Sequence, residues 1–71
     1  MTPMIAQVIG LEVVRFAPPA RVAAVFREYA HDVWAMRNEL QEAFRKIARE
    51  DPKWMEEFRR ECRRRNVSLP F

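Results

Sequence analysis

Residues 20–50 read ARVAAVFREYAHDVWAMRNELQEAFRKIARE, and their apolar side chains recur at alternating intervals of four and three residues. Such a heptad pattern places apolar side chains along one stripe of an α-helix. The pattern continues for more than three heptads, so it predicts a single amphipathic helix over 20–50. The apolar positions, called the seam below, are Val22, Phe26, Tyr29, Val33, Met36, Leu40, Ala43 and Ile47.

The seam has two interpretations. The flanking segments could fold back onto it within one chain, or it could pack against helices of other chains. Trp34 and Phe44 lie beside the seam, so the apolar surface is wider than a two-stranded contact requires. The seam is also longer than either flanking segment, and we therefore favour an intermolecular contact. The predicted interface residues are Phe26, Tyr29, Val33, Trp34, Met36, Leu40, Phe44 and Ile47.

The N-terminal segment is broadly apolar, and we interpret residues 3–16 as a first helix. A strand through residues 8–16 is the alternative, because Val and Ile are enriched there and Gly10 disfavours a helix. The consecutive prolines Pro18 and Pro19 interrupt the chain before the central helix.

The C-terminal segment begins with Asp51 and Pro52, a pair typical of a helix start, with Asp as N-cap and Pro in the first turn. The sequence predicts a third helix over about residues 52–65, with Asn66 as a left-handed cap. The tail, residues 66–71, is predicted to be extended. It could bind a partner or fold back onto its own helices.

The size of the chain limits its stability. With 71 residues it forms at most one domain, and a domain this small buries too little surface to be very stable alone. Cys62 is the only cysteine and His31 the only histidine, so neither an intrachain disulfide nor a four-ligand zinc site is possible. No apolar stretch is long enough for a bilayer, and signal-peptide features are missing. We therefore expect a cytoplasmic protein without a cofactor or a membrane partner, stabilised by contact with protein.

Positive charge is concentrated near the C-terminus. The net charge is +3, whereas residues 59–65 alone carry five Arg and one Glu, a net +4. Arginine binds phosphate bidentately, so this segment could follow a nucleic-acid backbone. Acidic residues at the start of a helix and basic residues at its end also suit the helix dipole, so the segment could be a solvated face or could bind an acidic partner. The candidate nucleic-acid-binding residues are Arg59, Arg60, Arg63, Arg64 and Arg65.

Residues for catalysis or metal binding are scarce. Glu28 and His31 match the Glu-x-x-His spacing of di-metal helical bundles, but the heptad places both on the solvent side and the chain has no second copy of the motif. Two chains could donate one copy each, so a metal site between chains is a third and less favoured hypothesis. Cys62 falls on the apolar face of the third helix, where a thiol usually acts as a small hydrophobe. The single glycine excludes a glycine-rich phosphate loop. We predict no catalytic residue, no metal site and no enzymatic activity.

The sequence thus predicts an all-α fold, a small three-helix arrangement around one long central helix, expected to form oligomers. The predicted function is protein–protein interaction, as a self-assembling chain or as an accessory or adaptor subunit that packs through the seam. The alternative is a small nucleic-acid-binding protein that uses the C-terminal arginines.

Overall fold

A computed structural model of the chain describes residues 17–71, and these residues are all-α, as predicted. Four helices follow one another: α1 (Pro19–Glu28), α2 (Ala30–Ala35), α3 (Arg37–Glu50) and α4 (Pro52–Arg64). No strand occurs in this part of the chain. The predicted helix over residues 3–16, and its strand alternative, lie outside the described residues.

The predicted central helix over 20–50 is divided into three, which corrects the expectation of one long rod. The divisions fall at Tyr29, with φ −111° and ψ 39°, and at Met36, with φ −103° and ψ 23°. Helical ψ is near −42°, so each residue turns the chain axis sharply. The amide of Tyr29 still donates to the Val25 carbonyl at 2.9 Å, and the amide of Val33 donates to the Tyr29 carbonyl at 2.9 Å. The divisions are therefore bends between contiguous helices and not loops.

The bends allow the chain to pack against α4, which corresponds to the third predicted helix. A straight helix over residues 20–50 would extend about 46 Å and would expose much of its seam. The longest extent of the structure is 32 Å. Because the chain bends at Tyr29 and Met36, both α1 and α3 pack against α4. Seam residues of both helices are thereby buried within one chain, and this burial outweighs the strain of two non-helical residues.

The ends of α4 have identifiable caps. A carboxylate oxygen of Asp51 accepts a hydrogen bond from the Trp54 amide at 3.2 Å, as expected of an N-cap. Asn66 has φ 59°, the left-handed conformation predicted for the C-terminal cap. The Val67 amide then donates to the Cys62 carbonyl at 2.8 Å, and the Asn66 amide donates to the Arg63 carbonyl at 3.2 Å. This pair of bonds is a Schellman motif, and it turns the tail back toward the core.

Five aromatic rings occupy the centre of the core. The Phe58 ring centroid lies 5.2 Å from that of Phe26, 5.0 Å from that of Phe44 and 5.3 Å from that of Trp54. Phe71, in the tail, lies 5.2 Å from Phe44. Val67, Leu69 and Phe71 of the tail are partly buried against this core, so the tail folds back onto its own helices.

One side-chain hydrogen bond links the residues just before α1 to α4. The indole nitrogen of Trp54 donates to the Ala17 carbonyl at 2.8 Å. Within residues 17–71, none of the helices combines the length and hydropathy that a membrane span requires.

Candidate functional site

The structure places five of the eight predicted interface residues inside the single chain. Phe26, Val33, Leu40, Phe44 and Ile47 are each at most 3% exposed. Tyr29 and Met36, at the two bends, are half-buried. In the folded chain the seam therefore lines an intramolecular core, the interpretation that the sequence analysis considered less favourable.

Trp34 is the exception among the predicted interface residues. It is 46% exposed, and it is the one large hydrophobic side chain that the described residues leave exposed. Val33 is the buried residue of α2. Successive side chains of a helix point in different directions, so the adjacent Trp34 points outward. The other exposed residues of α2 include no Asp, Glu, Lys or Arg; they are Ala30, His31 and Ala35. We call these three residues and Trp34 the α2 patch.

The five candidate arginines separate into two groups. Arg60 pairs with Glu56 at 3.6 Å, whereas Arg64 and Arg65 share Glu61 at 2.9 and 3.4 Å. All three pairs are three or four residues apart. The Arg60–Glu56 pair is exposed, whereas Glu61 and Arg65 are half-buried. The hydrogen bond from Arg64, reinforced by the charges of Arg64, Arg65 and Arg60, holds the pKa of Glu61 below its ordinary value.

Arg59 and Arg63 form the second group, and Arg45 of α3 joins them. A cavity of about 290 Å³ between α3 and α4 is lined by Ala48, Met55, Arg59 and Arg63. A second cavity of about 200 Å³ shares Ala48, Met55 and Arg59 with the first and adds Arg45. We call the two cavities together the arginine groove, with Arg45, Arg59 and Arg63 as its rim and Ala48 and Met55 as its floor.

Sequence analysis missed Arg45 as a member of this group. Arg45 flanks the seam one turn from Ala48, and this position is visible in the sequence. The sequence did not show that α3 packs beside α4. This packing brings Arg45 to the same groove as Arg59 and Arg63, which follow it by fourteen and eighteen residues.

The side chains considered for chemistry are placed as follows. Glu28 and His31 are both exposed. No three His, Cys, Asp or Glu side chains lie close enough to hold a metal ion in the part of the chain that the structure describes. Cys62 is 2% exposed, and desolvation by burial raises the pKa of its thiol to about 11, against a smaller opposing effect of Arg65. Because the thiolate is the reactive form, the protonated Cys62 thiol is a poor nucleophile near neutral pH.

The free energy of unfolding at alkaline pH is expected to depend on the raised pKa of the Cys62 thiol. The unfolded chain releases the thiol proton from an ordinary pKa near 9.0, whereas the folded chain retains it until about pH 11. The stabilising contribution is therefore complete below pH 9 and is lost as the pH rises through 11. We expect the free energy of unfolding to fall by about 2 kcal/mol over this window because of Cys62. Urea titrations at several pH values measure the change, and Cys62→Ala serves as the control that lacks it. Equal slopes against pH for both proteins would contradict the assignment.

Comparisons with known proteins do not assign the chain to a family. The sequence matches no protein-family model, and neither curated proteins nor solved structures show a significant similarity to it. A function for this chain must therefore be argued from its own surfaces, the α2 patch and the arginine groove.

Proposed function

We propose that this chain is a non-enzymatic protein-interaction module that assembles through the α2 patch, with Trp34 as the anchor. In the simplest form of this proposal the partner is a second copy of the chain. An accessory subunit would present the same patch to another protein of a complex. The observation that carries the proposal is the exposure of Trp34 on a helix whose other exposed residues include no Asp, Glu, Lys or Arg.

Three properties of the α2 patch support a protein partner. Tryptophan is over-represented among the residues that dominate binding energy in protein interfaces. About half of the Trp34 surface is exposed, roughly 100 Å², and its burial would contribute about 2 kcal/mol. Ala30 and Ala35 of the patch can also be desolvated at little cost. The exposed guanidinium of Arg37 donates to the Trp34 carbonyl at 3.0 Å, so a charged group lies at the edge of the patch.

This proposal moves the interface away from the predicted seam. A contact made by buried residues such as Val33 and Leu40 would require the chain to unfold first. A contact through Trp34 leaves the core intact. We prefer it to nucleic-acid binding because three of the five candidate arginines already pair with Glu56 or Glu61 on their own helix.

Replacing Trp34 by glutamate should abolish assembly without unfolding the chain. A carboxylate at the centre of an apolar contact must be desolvated, and we expect the dissociation constant to rise at least about thirtyfold. Light scattering with refractive-index detection measures the mass at several concentrations. We expect the wild type to rise above the monomer mass of 8.5 kDa, and Trp34→Glu to stay there.

Asn38→Glu is the matched control. It adds the same charge at an exposed position on α3, about one turn from Trp34, so it tests whether the carboxylate must replace Trp34 itself, and we expect its assembly to be less than about threefold weaker than that of the wild type. Circular dichroism confirms that both variants keep their helices. A wild type that stays at monomer mass up to millimolar concentration would rule out self-assembly through Trp34. The same conclusion follows if both variants assemble equally.

A further inference from the structure

The arginine groove carries an excess of positive charge that residues 17–71 do not neutralise. Its three rim arginines, Arg45, Arg59 and Arg63, are exposed, and none of their side chains forms a hydrogen bond or ion pair with another residue in 17–71. Among residues 17–71, the one acidic residue that lines either cavity is Glu56, and it pairs with Arg60 one helical turn along α4. The groove is therefore a site where anionic groups are attracted from solution.

The spacing of the rim arginines suits carboxylates of a peptide. Arg59 and Arg63 are four residues apart on α4, so their side chains project about 6 Å from one another on one face. Acidic residues one helical turn apart, or two apart in an extended segment, repeat at nearly this distance. Arg45 extends from α3, so it provides a third contact from a different helix. Guanidinium groups bind carboxylates through two parallel hydrogen bonds, which adds geometric selectivity to the attraction.

The floor of the groove is apolar. Ala48 of α3 and Met55 of α4 line both cavities, and Phe44 and Phe71 contribute to the smaller one. A phosphate backbone has no apolar group to place on such a floor, whereas an acidic peptide with Leu or Ile between its carboxylates does. Cavities of about 290 and 200 Å³ are at the small end for ligand sites and suit one or two side chains.

From this arrangement we infer that the arginine groove binds an acidic segment of a partner protein. Carboxylates of the segment contact Arg45, Arg59 and Arg63, and an apolar side chain between them packs on Ala48 and Met55. The segment comes from another protein, because residues 1–16 of this chain contain a single acidic residue, Glu12. This site is independent of the α2 patch: it shares no residue with it, and it takes a different partner chemistry.

The direct test is the binding of a fluorescein-labelled peptide with four Glu-Glu-Leu repeats, followed by fluorescence anisotropy. A peptide of Gln-Gln-Leu repeats controls for the carboxylates, and a single-stranded DNA of twelve nucleotides represents the phosphate alternative. We expect the acidic peptide to bind with a dissociation constant at least tenfold lower than either other probe, in a salt-dependent manner.

Matched substitutions on one helix locate the site. Arg59→Gln and Arg63→Gln remove rim contacts, whereas Arg64→Gln removes the same charge from an arginine that pairs with Glu61, and neither Arg64 nor Glu61 lines the groove. We expect each rim substitution, including Arg45→Gln, to weaken peptide binding about three- to tenfold, and the control to weaken it less than about twofold. Ala48→Phe should fill the floor and weaken binding more than about tenfold with all arginines in place.

Each other outcome overturns the inference. Equal effects of Arg59→Gln and Arg64→Gln would mean that net charge, and not the groove, attracts the peptide. Tighter binding of the DNA would assign the arginines to phosphate. Binding of the glutamine peptide as strong as that of the acidic one would remove the role of the carboxylates, and no binding of any probe would leave the groove without this function. Trp34→Glu separates this site from assembly, because it should lower the mass and leave peptide affinity unchanged.

Discussion

Replacing Phe58 by alanine is expected to lower the free energy of unfolding by about 4 kcal/mol. Phe58 is fully buried, and its ring lies within 5.3 Å, centroid to centroid, of the rings of Phe26, Phe44 and Trp54. These three rings belong to α1, α3 and α4, so a cavity at this position loosens every pair of helices that forms the core. Chains of this size are stable by roughly 5 kcal/mol, so most of the stability would be lost.

Phe71→Ala is the matched control for this prediction. It removes the same ring from a half-buried position in the tail, where the ring lies 5.2 Å from Phe44. We expect it to lower stability by only about 1 kcal/mol, because the site is partly solvated already. Urea unfolding followed by circular dichroism measures both. A Phe58→Ala protein no less stable than Phe71→Ala would contradict the aromatic core described above.

Replacing Leu40 by aspartate is expected to unfold the chain. Leu40 is 1% exposed, so the substitution would place a carboxylate in the core, at a cost of more than about 4 kcal/mol even after its pKa rises. This variant also discriminates between the two interpretations of the seam. If the seam were an interface between otherwise stable chains, Leu40→Asp would lower the assembly mass and keep the helices.

Asn38→Asp is the control for Leu40→Asp, because it introduces the same side chain two residues earlier on α3, at an exposed position near the helix start. A negative charge there is compatible with the helix dipole, so the protein should stay folded. Circular dichroism measures the helix content of both variants, and light scattering measures their mass. A folded Leu40→Asp monomer would restore the intermolecular interpretation of the seam.

Much of the fold could be predicted from local patterns. The spacing of apolar residues identified eight positions as one apolar stripe. Five of them lie in the core, namely Val22, Phe26, Val33, Leu40 and Ile47, and the other three, Tyr29, Met36 and Ala43, are half-buried against it. That prediction succeeds because the side-chain period of a helix is a property of the backbone and does not depend on what covers it.

The two bends could not be predicted in the same way. Neither Tyr29 nor Met36 is a residue that breaks helices, and the heptad pattern continues through both. The seam therefore predicted which side chains face the core, but it did not predict that the helix axis changes direction at Tyr29 and Met36. Its interpretation as a long intermolecular surface depended on a straight rod, and that rod does not form.

The candidate sites divide along the same line. The sequence determined that the chain is helical, where α4 is capped, and that five arginines lie close to one another near its end, because capping and helical periodicity act over a few residues. The spacing of the sequence also indicated the pairs Glu56–Arg60 and Glu61–Arg65, because the members of each pair lie one helical turn apart. Only the tertiary structure decided which two arginines join Arg45 at a groove, and which aromatic residue, Trp34, is left outside the core. These properties depend on how α1 and α3 pack against α4, which is set by competition among all the apolar surfaces of the chain for a single small core.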